Sequence, residues 1–136
     1  MMKVVNVMTT HPVSVAPEDS IQQVREIMDE EKIRQLPVTK EKELLGIITD
    51  RDIRSFLGGR SLSYLEEQEV AMKTKVATVM TDKPITLSPD NDLREAVELL
   101  LEEKVGGIPV MDPYDGLMGI ITYVDVLRCF LEQWEE

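Results

Sequence analysis

The chain repeats itself over most of its length, and this repeat constrains its fold more than any other feature. The segment VMTTHPVSVAPEDSIQQVREIMDEEKIRQLPV (7–38) aligns without a gap to VMTDKPITLSPDNDLREAVELLLEEKVGGIPV (79–110). A second shared motif follows each copy, GIITDRDI at 46–53 and GIITYVDV at 119–126. Such self-similarity indicates two structural units of one kind that arose by duplication and fusion.

Each copy predicts the element order β-α-β-β-α. The pattern favours a short first strand that ends near a proline, then a helix, then a hairpin around a polar turn, and then a helix that begins near the threonine of GIIT. The predicted strands are Val13–Val15, Leu36–Thr39 and Leu44–Thr49 in the first copy, and Ile85–Leu87, Ile108–Met111 and Leu117–Thr122 in the second.

The helix starts carry recognisable signals. Ser20 with Gln23, and Asp92 with Glu95, have the spacing of a capping box. Between the copies, residues 54–78 contain a Gly-Gly break and a predicted linker helix. We expect the apolar side of that helix to carry Leu62, Leu65 and Met72.

These elements predict an α+β (α/β) fold with two repeats. We assign residues 1–57 to the first repeat, 58–78 to a linker helix region and 79–136 to the second repeat. A unit of about 60 residues buries too little surface to be very stable alone. We therefore expect the two repeats to pack through their sheets about a pseudo-two-fold axis, which leaves two related clefts between them.

Composition excludes several classes of function. The chain has 15 basic and 26 acidic residues and a net charge of −11, which disfavours binding to nucleic acid or to an anionic membrane. No apolar run approaches the roughly 18 residues of a membrane span. With one histidine and one cysteine, no catalytic or metal site is predicted, and the lone Cys129 favours a cytoplasmic protein.

The doubled pattern VMT-x-x-P, then [LI]-P-V, then G-I-I-T-x-x-D resembles a tandem pair of CBS domains, a Bateman module. The resemblance covers nearly all of the chain. It implies binding of an adenosine ligand (AMP, ADP or ATP, sometimes S-adenosylmethionine) in the two clefts, with no cofactor required. It also implies a homodimer that regulates an attached or associated protein, whose identity the sequence does not reveal.

Thr49 with Asp52, and Thr122 with Asp125, are the pairs that we expect to contact the ligand. An ionised aspartate accepts hydrogen bonds at two oxygens and can take both hydroxyls of a ribose. A threonine at a helix start adds a hydroxyl, and the free N–H groups of the first turn attract phosphate. Thr-x-x-Asp before a helix is also a capping box, so a purely structural role stays open, and the two roles are compatible.

The resemblance implies further contacts in each cleft, although an ordinary core position is the alternative for each aliphatic residue. The apolar slot for the base would be lined by Ile47 or by Ile120, two residues before the threonine. The first cleft would add Arg34, Arg51, Lys75, Ala77 and Val105, and the second would add Lys3, Val5, Ile33 and Gly106.

The two clefts are predicted to differ in charge. The first has Arg34 and Arg51, and arginine suits phosphate because its donors form a planar, permanently charged fork. Gly106 and Val124 stand at the matching positions of the second copy. The first cleft is therefore predicted to bind a phosphorylated nucleotide more tightly, and the second to bind weakly, to bind a less charged ligand or to stay empty. The alternative for the two arginines is solvation or pairing with nearby acids.

The last predicted helix carries an apolar side, Leu127, Phe130, Leu131 and Trp134, which predicts an interface between two copies. The function that follows is a non-catalytic regulatory module that senses adenosine nucleotides. A ligand-free structural dimerisation module and an S-adenosylmethionine sensor are the alternatives. An enzyme acting on nucleotides is disfavoured, because no general base is visible.

Overall fold

Helices and short strands alternate along the chain, as the repeat predicts. The computed structural model describes residues 2–134. The helices are α1 (Ile21–Glu31), α2 (Asp50–Gly58), α3 (Tyr64–Lys73), α4 (Val76–Val79), α5 (Leu93–Glu103) and α6 (Tyr123–Trp134), with a 3-10 turn at Val4–Asn6. The strands are β1 (Thr9–Thr10), β2 (Gln35–Lys40), β3 (Glu43–Thr49), β4 (Thr81–Asp82), β5 (Gly107–Asp112) and β6 (Gly116–Thr122).

The chain divides into two compact units, and each takes a short segment from the other sequence repeat. The first unit is Val13–Lys83, and the second combines the residues up to Pro12 with those from Pro84 onward. The sheet of the first unit has the order β2-β3-β4, and that of the second has the order β1-β6-β5, all antiparallel. The α+β fold with two small sheets is thus confirmed, while the unit boundaries differ from the repeat boundaries 1–57, 58–78 and 79–136.

The glycine of each GIIT motif is where the exchanged segment packs. A Cβ on Gly46 would lie 2.6 Å from the Thr81 carbonyl oxygen and 2.9 Å from Met80 Sδ. In the second unit, a Cβ on Gly119 would lie 2.7 Å from the Thr9 carbonyl oxygen and 2.8 Å from the Sδ of Met8. The Val-Met-Thr motif of one repeat therefore fits against the GIIT motif of the other, which explains why both motifs occur twice.

Each unit has its own apolar core on one face of its hairpin. In the first unit α1 lays Ile21 and Val24 against Ile48 of β3, and in the second α5 packs with Ile108 and Ile121. Successive residues of a strand point to opposite faces, so the neighbouring Ile47 and Ile120 face away from these cores. Both are buried nonetheless.

The predicted first strands Val13–Val15 and Ile85–Leu87 are wrong in extent. Only single parallel bridges form, between Val15 and Val38 and between Leu87 and Val110. The Val15 N–H donates to the Pro37 carbonyl, and the Val15 carbonyl accepts from the Thr39 N–H. Val38 is the residue between these two bonds, and Pro37 before it has no N–H with which to continue the pairing toward Val13.

One helix cap is confirmed and one differs. Ser20 and Gln23 form the reciprocal capping box at the start of α1. At α5, Asp92 instead accepts from the Arg94 N–H at 3.1 Å. The carboxylate of Glu95 accepts from the Asn91 side chain at 3.0 Å, so it does not close the second box.

The apolar side predicted for the linker helix is wrong for Leu65 and Met72, and Leu62 is half-buried but lies before the start of α3. Leu65 and Met72 are 74% and 64% exposed, whereas Ala71 is fully buried where α3 packs against α1. A small residue allows two helices to approach closely, and Arg25 of α1 adds an ion pair to Glu67 of α3 at 3.0 Å. Size at the contact, rather than hydrophobicity alone, sets the buried face of α3.

Candidate functional site

The start of α2 in the first unit brings Thr49 and Asp52 together. Thr49 Oγ1 accepts from the Asp52 N–H at 3.0 Å, and Asp52 Oδ2 accepts from the Thr49 N–H at 3.0 Å. The capping role of this motif is therefore present. Asp52 is only half-buried, and no side chain or N–H within residues 2–134 donates to its Oδ1. One carboxylate oxygen thus anchors the helix, and the other can still accept a hydrogen bond.

The start of α6 in the second unit has the same motif in a more crowded setting. Asp125 Oδ2 accepts from the N–H and the hydroxyl of Thr122 at 2.9 and 3.1 Å. Its Oδ1 accepts from the Thr9 hydroxyl at 2.9 Å and lies 3.6 Å from Arg128 Nη1. Asp125 is 5% exposed. Both carboxylate oxygens are therefore engaged inside the unit.

Sequence reasoning missed the parts that Thr9 and Arg128 play at Asp125. The threonine of the Val-Met-Thr motif occurs in both copies, as Thr9 and Thr81, but the repeat does not show which residue it contacts. Arg128 lies one helical turn after Asp125, a spacing that allows contact. That spacing is common, so it offered only a weak signal.

The predicted phosphate-binding side chains lie near the start of α2. The Arg34 carbonyl accepts from the Asp50 N–H at 3.0 Å, which holds this residue beside the first turn. Its side chain is 74% exposed and lies 3.8 Å from the Asp50 carboxylate, which Arg54 also approaches, to 3.6 Å. Arg51 is exposed and has no carboxylate within ion-pair distance in the described chain.

The second unit has the corresponding backbone contact without the cations. The Gly106 carbonyl accepts from the Tyr123 N–H at 3.3 Å, as that of Arg34 accepts from Asp50. Glycine has no side chain to place beside the helix start, and Tyr123 and Val124 carry no charge. The predicted difference in charge between the two sites is therefore present in the immediate surroundings of each helix start.

The remaining predicted residues lie in the linker region of the first unit and on the segment exchanged into the second unit. Lys75, the residue before α4, forms a β-bridge with Ser20. Ala77 lies within α4, which packs against α2, and its N–H donates to the Pro17 carbonyl at 3.0 Å. Lys3 bridges Asp92, and the Val5 N–H donates to the Pro89 carbonyl at 3.1 Å in the second unit. These four predicted contacts, Lys75, Ala77, Lys3 and Val5, are all exposed at the surface of their unit.

Val105 and Ile33 differ from the other predicted contacts, because each belongs to the opposite unit from the rest of its group. Val105 is 40% exposed, whereas Ile33 is half-buried against the core of the first unit. Their assignments to the first and second clefts stay predictions.

A cavity of about 340 Å³ lies elsewhere in the first unit, between α1, α2 and α3. Its lining residues are Arg25, Met28, Asp50, Ile53, Arg54, Leu57, Gly58 and Glu67. None of the predicted nucleotide contacts is among them. The charged groups at its edge are already paired, Arg25 with Glu67 and Arg54 with Asp50.

Two structural features bear on other classes of function. Within residues 2–134, no three His, Cys, Asp or Glu side chains are grouped so that they could hold a metal ion. None of the helices in that range has the length and apolar character that crossing a bilayer requires.

Comparison with known proteins adds relatives of the same architecture. Protein MJ1225 of Methanocaldococcus jannaschii is 36% identical over 132 residues, which cover 91% of this chain and 47% of that protein. The chain spans about half or less of the curated relatives that it matches first.

Two solved structures match nearly the whole chain. CBSX2 of Arabidopsis thaliana in complex with AMP superposes with a TM-score of 0.81 at 30% identity, covering 97% of this chain and 98% of that one. The CBS domain pair of protein MJ0100, in complex with 5′-methylthioadenosine and S-adenosylmethionine, also gives 0.81, at 25% identity and 98% coverage of both chains.

The family comparison matches this chain twice. The CBS domain model covers residues 4–59 and again 76–132. These two matches coincide with the two copies of the repeat, and each contains one Thr-x-x-Asp helix start. The chain therefore belongs to the CBS domain family and carries two CBS domains in tandem.

Proposed function

We propose that this chain is a non-catalytic regulatory module that binds an adenosine nucleotide, AMP, ADP or ATP, beside the start of α2. The observation that carries the proposal is the half-open carboxylate of Asp52. Its Oδ2 is fixed by the Thr49 N–H at 3.0 Å, which orients the group, while its Oδ1 faces no donor within residues 2–134. A ribose hydroxyl would donate to this oxygen in a charge-assisted hydrogen bond.

The surroundings of Asp52 supply the other contacts of a nucleotide. The buried Ile47 lies two residues before Thr49, on the face of β3 that does not contribute to the core, and it would contact the base with Ala77. Arg51 would bind phosphate, since it is exposed and unpaired among the described side chains. Arg34 and Lys75 would join it, Arg34 by exchanging its 3.8 Å contact with Asp50 for a phosphate oxygen.

Relatives support the ligand class. CBSX2, at 30% identity over nearly the same length, is described in complex with AMP. The MJ0100 pair is described with 5′-methylthioadenosine and S-adenosylmethionine. All three ligands contain an adenosine group, so a site that contacts the ribose and the base would bind ligands of this class. S-Adenosylmethionine is therefore the main alternative ligand.

The regulatory part of the proposal needs two arrangements with different affinities for the ligand. Binding at α2 would favour one arrangement and thereby change the surface that a partner protein contacts.

The decisive experiment replaces Asp52 by asparagine and measures AMP, ADP, ATP and S-adenosylmethionine binding by calorimetry. In Asp52→Asn the amide oxygen can still accept from the Thr49 N–H, so the helix cap is retained. The amide nitrogen replaces the free oxygen and cannot accept a ribose hydroxyl. We expect affinity to fall roughly 10- to 100-fold, the effect of losing one hydrogen bond to a charged acceptor.

Asp29→Asn is the matched control, because it makes the same change in charge at an exposed position of α1. It should bind like the wild type. Equal affinities of Asp52→Asn and Asp29→Asn, with both folded by circular dichroism, would remove Asp52 from the site. No binding by the wild type at millimolar ligand would refute the nucleotide function.

A dimerisation module is the second candidate function, and α6 favours it. Leu127, Phe130 and Leu131 are 61%, 60% and 53% exposed on one side of this helix. Trp134 is 75% exposed and meets Phe130 edge to face, with 5.4 Å between ring centroids. An apolar, aromatic side of this kind is typical of a contact between protein chains. We propose that a second copy covers it, alongside nucleotide binding.

A further inference from the structure

The carboxylate of Asp125 is the most enclosed ionisable group in the described chain, and its hydrogen-bonding capacity is already used. Thr122 occupies Oδ2 with two donors, and Thr9 occupies Oδ1 at 2.9 Å. Arg128 approaches the same Oδ1 to 3.6 Å, and only 4% of the Asp125 side chain is exposed. A ligand hydroxyl could reach this group only by displacing side chains of the protein itself.

The first unit has the same strand pairing, but it lacks the side-chain contacts that engage Asp125 Oδ1, which we call the closure of the aspartate. Thr81 lies opposite Ile47 in the pairing of β3 with β4, as Thr9 lies opposite Ile120 in the pairing of β6 with β1. No described residue hydrogen-bonds to the Thr81 hydroxyl, and Ser55 stands where the second unit has Arg128. Both units therefore have the aspartate, and they differ in whether protein side chains already contact its Oδ1.

We propose that Thr9 and Arg128 act as specificity-determining residues that hold the Asp125 carboxylate in place of a ligand. Replacing the Thr9 hydroxyl by a ribose hydroxyl exchanges one hydrogen bond for another, so it yields little net free energy. Asp125 of the second unit consequently does not bind a ribose diol, and the chain binds one nucleotide, at Asp52. This inference rests on the proposed function for the choice of ligand, but the closure of Asp125 does not depend on it.

Calorimetric stoichiometry with AMP tests the proposal. The wild type should bind one AMP per chain, and Asp52→Asn should lose that site. The double variant Thr9→Val with Arg128→Ser frees Asp125 Oδ1 and copies the serine of the first unit, so it should bind two. Adding Asp52→Asn to the double variant should leave one site, which is then the second unit.

A ligand-free measurement tests the closure separately. Thr9→Val should lower Tm by roughly 3–8 °C, because it leaves a buried carboxylate oxygen without its hydroxyl donor. Thr81→Val is the matched control and should change Tm by less than half as much. Thr9→Ser keeps the hydroxyl, so it should have the wild-type Tm and bind one AMP.

The outcomes separate this inference from the nucleotide function. Two AMP per wild-type chain, or equal losses of Tm in Thr9→Val and Thr81→Val, would overturn the closure while leaving the nucleotide function standing. A wild type that binds no AMP, with a double variant that binds one, would refute the nucleotide function and support the closure. A double variant that folds and gains no site over the wild type would overturn the closure. If the double variant does not fold, the wild-type stoichiometry and the Tm of Thr9→Val compared with that of Thr81→Val still decide.

Discussion

Replacing Gly46 by alanine tests how tightly the exchanged segment is fitted to the first unit. The new Cβ would lie 2.6 Å from the Thr81 carbonyl oxygen and 2.9 Å from Met80 Sδ. Both distances are shorter than van der Waals contact. The Met80 side chain can rotate away, but the carbonyl belongs to the backbone of β4, so the strand itself must move.

The structure sets the size of the expected effect. β4 pairs with β3 at only two positions, Gly46 with Asp82 and Ile47 with Thr81, so a shift that relieves the clash weakens the whole pairing. Adding one methyl group to a packed site typically costs about 1–3 kcal/mol. We expect the upper part of that range, because the closest atom is backbone.

Gly58→Ala is the matched control, since it adds the same methyl group where no atom lies within 4 Å. Gly58 ends α2, and alanine there should raise the free energy of unfolding by about 0.4–1 kcal/mol by restricting the unfolded chain. Urea unfolding followed by circular dichroism measures both. With an m-value of about 1–3 kcal/mol per M, the Gly46→Ala midpoint should fall on the order of 1 M. A Gly46→Ala protein as stable as the wild type, or one no less stable than Gly58→Ala, would refute this account of the GIIT glycine.

Two further predictions concern other parts of the chain. Phe130→Glu places a charge on the exposed apolar side of α6 and should convert a dimer to monomer in sedimentation velocity without loss of helicity; a wild type that is monomeric at high concentration would contradict the proposed interface. The N–H groups of Tyr114 and then Asp115 donate to the Asp112 carboxylate and hold its pKa below the usual range for aspartate. A lowered folded-state pKa contributes stability that is present above the unfolded pKa and is lost as pH falls through the folded pKa, so NMR titration should find Asp112 ionised under acid conditions where an ordinary aspartate is protonated.

The elements that local patterns specify were predicted well from the sequence. The hairpins are found because β-branched runs flank polar turns, and β2, β3, β5 and β6 each extend the predicted strand by one residue or more. Ser20 caps α1 as its spacing indicates, because a capping box involves only four consecutive residues.

Contacts between distant residues could not be read from the sequence. The Thr-x-x-Asp spacing predicts the cap at both helix starts, but nothing local shows that the Thr9 hydroxyl reaches Asp125. The same limit applies to α3, where Ala71 is buried and Leu65 is not, because the contact with α1 selects size. The sequence therefore predicted a Thr-x-x-Asp pair in each unit and a difference in charge around the two pairs, whereas the long-range contacts that leave the Asp52 carboxylate open and engage that of Asp125 were not predictable.

The exchange of segments also has a consequence for the order of folding during synthesis. Val13–Lys83 contains every element of the first unit, so this part can close as soon as β4 has emerged from the ribosome. The second unit must wait, because β1 finds its neighbour β6 only when most of the chain has been made. Until then Val4 and Met8, which end up buried, remain uncovered and open to chaperones or to wrong partners. A nascent chain of this protein therefore passes through a stage in which Val4 and Met8, although made before Val13–Lys83, are buried after it.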